Sequence, residues 1–151
     1  MGELEASWTV EIDAPRELCW EIAADIEGAP KWQKTLKSVD VIERDSDKRA
    51  SLVETVSDAK VKEATAILRF DYDPPGGISW EQESGDVKSL VGSWEFTELE
   101  PERTKATYAL RADPGRILGM LLRGPVEGKV KEALTRGAAE GLKEEAESRS
   151  G

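Results

Sequence analysis

From Leu4 to Ile12 apolar and polar positions alternate, with Leu4, Ala6, Trp8, Val10 and Ile12 on one side and Glu5, Ser7, Thr9 and Glu11 on the other. A period of two marks a half-buried β-strand. The pattern then changes. Asp13 offers an N-cap oxygen and Pro15 a preset φ, which predicts a helix with Leu18, Cys19, Ile22 and Ile26 on its apolar side, ending near Gly28. Ala29-Pro30-Lys31-Trp32 reads as a second short helix, because proline is tolerated only in a first turn. Beyond Trp32 further strands are predicted at roughly 37–44, 50–57, 62–72, 78–83, 88–99 and 104–111. Their separators, Asp45-Ser46-Asp47, Ser57-Asp58-Ala59, Pro74-Pro75-Gly76-Gly77, Ser84-Gly85-Asp86 and Pro101-Glu102, are short and turn-forming. Parallel neighbours would need crossovers of about a dozen residues, so these links predict an antiparallel meander of about seven strands, counting the first.

Strand phase assigns an inward set: Ala64, Ala66, Leu68, Phe70 and Tyr72, then Ile78, Trp80 and Gln82. Leu90, Gly92, Trp94 and Phe96 follow, then Ala106, Tyr108 and Leu110. Outward positions are mostly charged or small, so one face meets water and the other needs a cover. That cover comes from the C-terminus. Asp113-Pro114 starts a helix, Gly124-Pro125 restarts or kinks it, and Val126, Val130, Leu134, Ala138 and Leu142 then recur every four residues, with Ala133, Gly137 and Gly141 beside them. The helix is expected to end near Ala146, with Glu144–Gly151 as a frayed tail. The fold class expected is α+β: a curved antiparallel sheet wrapped around a long C-terminal helix, with two short helices after the first strand. No repeat, low-complexity tract or second domain is visible, so residues 1–151 read as a single domain.

At 151 residues the chain suits one core. The hydrophobic fraction of 38% and charged fraction of 34% suit a soluble protein, and no apolar run approaches the ~18 residues of a spanning helix, so no integral membrane association is expected. The start, Met-Gly-Glu-Leu-Glu, lacks a basic, then apolar signal, and Cys19, the single cysteine, cannot form an internal disulfide; both point to the cytoplasm. Lys and Arg total 21 against 31 Asp and Glu, for a net charge of −10, which argues against nucleic acid as a partner. Histidine is absent, which removes the commonest general base, His-based triads and His-based metal sites. With one cysteine as well, no metal is expected, and nothing calls for a cofactor.

The element order, with Ile12-Asp13-Ala14-Pro15, Trp20, Asp25, Pro30 and Trp32 in the first third and Gly92-Ser93-Trp94 in a later strand, resembles the START-like (SRPBCC, helix-grip) superfamily. Within it the bacterial polyketide cyclase/dehydrase group is the one resembled. The resemblance spans nearly the whole chain and rests on structural rather than catalytic motifs. It implies a helix-grip fold with a deep cavity between sheet and last helix that holds a lipid, polyketide, quinone or other apolar molecule. Members of that superfamily include cyclases, lipid carriers, co-chaperone-like modules and toxins described as acting on ribosomes. Three functions therefore stand side by side: a carrier or sensor of an apolar small molecule, an enzyme of the polyketide cyclase, aromatase or dehydratase type, and a protein-interaction module.

The candidate residues follow from the same phases. Phe70, Trp80, Trp94 and Tyr108 project to the concave side, where they either line a ligand cavity or fill a core, and Gln82 is a candidate polar anchor. Gly128, Gly137 and Gly141 each weaken a helix by about 1 kcal/mol relative to alanine. Gly137 and Gly141 lie one turn apart on the apolar side, where they bring the helix close to the sheet or leave space for a ligand. The segment Ile117–Leu122, with Met120 and Leu121, is bounded by Arg116 and Arg123 and reads as a lid, a contact surface or plain core. No catalytic set is assigned: Tyr108 and Glu54 are the only candidates for acid–base chemistry, and Glu54 only if its strand runs in the phase Leu52, Glu54, Val56. Asp25 is expected to cap the next short helix and Trp32 to plug one end of the sheet. The expected partner is an apolar small molecule, bound by a monomer or weak homodimer.

Overall fold

The computed structural model describes residues 3–58 and 62–150. Strand β1 (Leu4–Ile12) leads through helix α1 (Arg16–Ala24) and a 3-10 helix (Ile26–Lys31) into β2 (Leu36–Arg44), β3 (Ala50–Asp58) and β4 (Glu63–Asp73). Then come β5 (Gly77–Gly85), β6 (Ser89–Glu100), β7 (Arg103–Asp113), α2 (Gly115–Leu121) and α3 (Pro125–Ser150). The sheet order is β1-β7-β6-β5-β4-β3-β2, so β2 to β7 form the meander that the short links imply, and β1 closes onto β7. The result is the helix-grip arrangement: a curved seven-stranded antiparallel sheet holding the long last helix. Of the expected turn Ser57-Asp58-Ala59, Ala59 lies outside the described residues.

Two helix ends differ from the sequence expectation. Pro15, not Asp13, is the N-cap of α1; it is extended, with ψ 149°, and makes no side-chain cap. Helical geometry thus begins only at Arg16, which leaves the Asp13 carboxylate too far back to reach the first turn. Helix α1 ends at Ala24 because Asp25, with ψ 79°, leaves the helical region. The Asp25 carboxylate instead accepts from the Gly28 backbone N–H at 3.3 Å and caps the 3-10 helix, inside which Pro30 lies. Trp20 on α1 ties this segment to the sheet: its indole N–H donates to the Gly77 carbonyl at 2.8 Å, and its ring meets Tyr72 edge-on at 6.2 Å.

Register lines up the aromatic rows. Phe70 stands opposite Trp80, Trp80 opposite Gly92, and Trp94 opposite Tyr108. A Cβ on Gly92 would lie 2.3 Å from the Trp80 ring, so only glycine lets that indole lie across β6.

Helix α3 packs on β1, β7 and α1. It runs in the same direction as β1, with Val130 near Leu4 at one end and Lys143 at Glu11 at the other. Its C-terminal part is pinned: Lys143 Nζ donates to the Glu11 carbonyl at 2.7 Å, and Glu147 Oε2 accepts from the Asp13 backbone N–H at 2.9 Å. The buried positions are Val130, Thr135, Ala138, Ala139, Leu142 and Ala146. This rotates the stripe slightly from the one expected, leaving Val126 exposed and Leu134 half-buried. Of the expected frayed tail, residues 144–150 are helical, and Gly151 lies outside the described residues. The helix continues through Ser150 because Ala146 is fully buried in the core and Glu147 holds the α1 approach.

Candidate functional site

Between the concave face of the sheet, the 3-10 helix and the N-terminal half of α3 lies a cavity of about 200 Å³. Alternation in each strand aims every second side chain into it, and most of those positions are apolar. Four aromatic rings form one wall, each from a different strand: Phe70, Trp80, Tyr108 and Trp94. The ring centroids are 5.3 Å apart for Phe70–Trp80, 5.6 Å for Trp80–Tyr108 and 4.7 Å for the edge-on pair Trp94–Tyr108. Such offset and edge contacts make a rigid apolar surface. Trp32 continues it at 6.2 Å from Trp94, closing the inner end of the cavity.

Polar groups on the wall are few. Gln33 Nε2 donates to the Tyr108 hydroxyl at 3.4 Å, and both line the cavity. Burial pushes Tyr108 up to about 12, with the Gln33 hydrogen bond pulling weakly the other way. The phenol therefore stays protonated through neutral pH, able to donate and accept hydrogen bonds but not to remove a proton. Thr55 Oγ1 reaches the Ala66 carbonyl at 3.5 Å and Thr135 Oγ1 the Lys131 carbonyl at 2.7 Å, so both hydroxyls serve the backbone. Leu4, Pro114 and Leu122 border both the cavity and an open surface groove beside α2, which makes this edge the mouth.

Several expected site residues stand elsewhere. Thr55 and Ser57 line the cavity, so Glu54, with the opposite phase in β3, lies on the outer face and is no acid or base for this space. Gln82 is not a cavity anchor. It keeps the strand phase of its partner Leu68, but its Nε2 donates to the Val87 carbonyl at 2.9 Å across the following turn, so the amide is spent on the backbone and does not line the cavity. Met120 and Leu121 are exposed, at 61% and 48%, and Leu122 is the residue after α2 that turns inward. The side chains of Ile117 and Leu118 lie outside the described residues. Gly137 faces solvent with no atom within 4 Å of a notional Cβ. At Gly141 that Cβ would stand 2.1 Å from the Trp32 carbonyl oxygen, so close packing, not ligand space, is the reason for this glycine.

Sequence reasoning missed Gln33, Thr35, Thr55, Lys131 and Thr135 as wall residues. Strand phase already carried the signal for Thr55. Gln33 and Thr35 sit in an irregular link with no period to read. Among the described residues no group of three or more His, Cys, Asp or Glu side chains is placed to hold a metal ion.

A curved sheet closed by a terminal helix around a mostly apolar hollow defines a class of small-molecule-enclosing domains. The chain belongs to the family described as polyketide cyclase / dehydrase and lipid transport, whose model matches residues 12–138. Among solved structures it is similar to a START superfamily protein from Mycobacterium smegmatis, at 21% identity and a TM-score of 0.84, covering 98% of this chain and 99% of that one. A Thermus thermophilus protein matches at 24% identity and a TM-score of 0.83, with 98% and 100% covered. The Zhui aromatase/cyclase of a Streptomyces species, R1128, matches at 22% identity and 0.77, with 98% and 96% covered. At these identities the likeness is one of fold. No curated protein matches the chain.

Proposed function

We propose that this protein is a carrier or sensor that encloses an apolar small molecule between its sheet and α3, with Phe70, Trp80, Trp94 and Tyr108 as the walls. The observation that carries this reading is the cavity itself: a continuous aromatic wall beside an open mouth, in a chain of a family that takes apolar ligands. The same wall speaks against catalysis by proton transfer. Among the described residues it holds no carboxylate, histidine or thiol, and its phenol is held protonated. No helix among the described residues is long and apolar enough to cross a membrane. The working picture is a single domain acting in the cytoplasm as a monomer or weak homodimer, with no nucleic-acid partner, in keeping with the net charge of −10.

Native mass spectrometry of protein purified from its own host, followed by denaturing extraction, tests the reading. A stoichiometric apolar molecule is the expected result. An empty protein whose tryptophan emission is also unmoved by lipids, quinones and polyketides would count against it, because a bound ligand must lie against Trp80 and Trp94.

A further inference from the structure

The cavity wall carries a charge asymmetry. The protein as a whole has an excess of acids, 31 against 21 basic residues, yet among the described residues no Asp or Glu lines the cavity. Lys131 is the only charged side chain among them that does. It lies on α3 near the mouth, next to Val130 and one turn before Leu134 and Thr135, which also face the hollow. Its ion-pair partner Glu127, with Nζ–Oε2 at 3.0 Å, belongs to the outer groove and does not reach the cavity. The pair thus stands at the mouth, where Lys131 borders the cavity and Glu127 the outer groove. Both side chains are partly exposed, at 31% and 40%, so the contact is a weak surface pair that an incoming anion can replace.

Resting on the carrier reading above, we propose that the ligand is an anionic amphiphile, an organic acid whose apolar body lies along the aromatic wall and whose carboxylate stands at Lys131. The ligand carboxylate takes the place of Glu127 at the ammonium, no Asp or Glu among the described residues lines the cavity itself, and a lysine with an apolar stem can keep its ammonium at the water boundary while its methylenes cover the ligand. At the far end the Gln33–Tyr108 pair provides a donor and an acceptor for one further polar group on the ligand. The length of the hollow along β7 has room for a chain or fused-ring body. Tyr108 and Ala112 of β7 both line the hollow, and four residues of strand span about 13 Å.

Calorimetric titration with decanoate and with 1-decanol at neutral pH tests this on the intact chain and on Lys131→Met, with Lys129→Met as the exposed control. Decanoate is expected to bind about tenfold more tightly than the alcohol, a difference of about 1.4 kcal/mol. That preference is expected to vanish in Lys131→Met and persist in Lys129→Met. Equal or tighter binding of the alcohol to the unaltered protein overturns the anionic ligand but leaves the carrier reading standing. A decanoate preference that survives Lys131→Met overturns the role of Lys131. If neither compound binds a chain with native circular dichroism, this inference falls, and the carrier reading is decided separately by the native mass spectrometry and the wider ligand panel.

Discussion

Two glycines one turn apart on α3 have opposite reasons for being there. Gly141 accommodates the Trp32 carbonyl, which a methyl group would meet at 2.1 Å, whereas Gly137 faces open solvent. Gly141→Ala is therefore expected to destabilise the protein by about 1–3 kcal/mol through overpacking. Gly137→Ala is expected to stabilise it by about 1 kcal/mol through helix propensity. Urea unfolding followed by tryptophan emission separates the two signs. Buried acids set a second expectation at this scale. Burial raises Cys19 from 9.0 to about 11 and Tyr108 from 10.0 to about 12. The unfolded chain loses these protons first, so their stabilising contribution is whole below about pH 9 and is lost as pH rises through the folded values. The urea midpoint should fall between about pH 9 and 12, and Tyr108→Phe should flatten the upper part of that fall.

At the scale of elements, the last turns of α3 act as a clasp. Ala146 is buried, and Glu147 joins the Asp13 backbone N–H and Lys143, the latter at 2.7 Å. Removing residues 145–151 leaves the Asp13 N–H without its partner and uncovers the α1 approach. A loss of about 1–3 kcal/mol is expected, with a lower thermal midpoint, although every cavity residue is retained. An unchanged midpoint would mean that these turns are not held. Gly92 and Trp80 act in the same way between strands: the wall exists because one strand gives up a side chain where the next places an indole.

For the whole molecule, the decisive feature is that α3 does not fill the space it covers. Its C-terminal half packs on β1 and α1 through small residues, and its N-terminal half stands off the aromatic wall. Ala64→Phe, at a half-buried cavity position on β4, should lower the amount of co-purifying ligand at least several-fold while leaving circular dichroism unchanged. Native mass spectrometry reads that directly, and full occupancy in the variant would place the ligand elsewhere.

How much of this was legible depends on the kind of signal each part carries. Strand periodicity and turn chemistry are local, so the strands, their antiparallel order and the inward aromatic positions follow from the residues alone. Charge and the absence of histidine are compositional, and they limit the chemistry without any structure. Helix ends depend on backbone angles such as the extended Pro15, and the fate of Glu144–Gly151 depends on the partners that Ala146 and Glu147 find more than a hundred positions away in the chain. Gly137 and Gly141 look alike in sequence, and only the approach of the Trp32 carbonyl tells them apart. By itself the sequence determined the elements and the inward aromatic positions of the later strands, while leaving the phase of the Glu54 strand open, because those patterns depend on neighbours along the chain. Only the tertiary structure decided that Lys131 borders the cavity at its mouth, that Gln82 and Glu54 do not line the cavity, and that a hollow remains. Those are questions of how separately formed surfaces meet, and no single segment carries the answer.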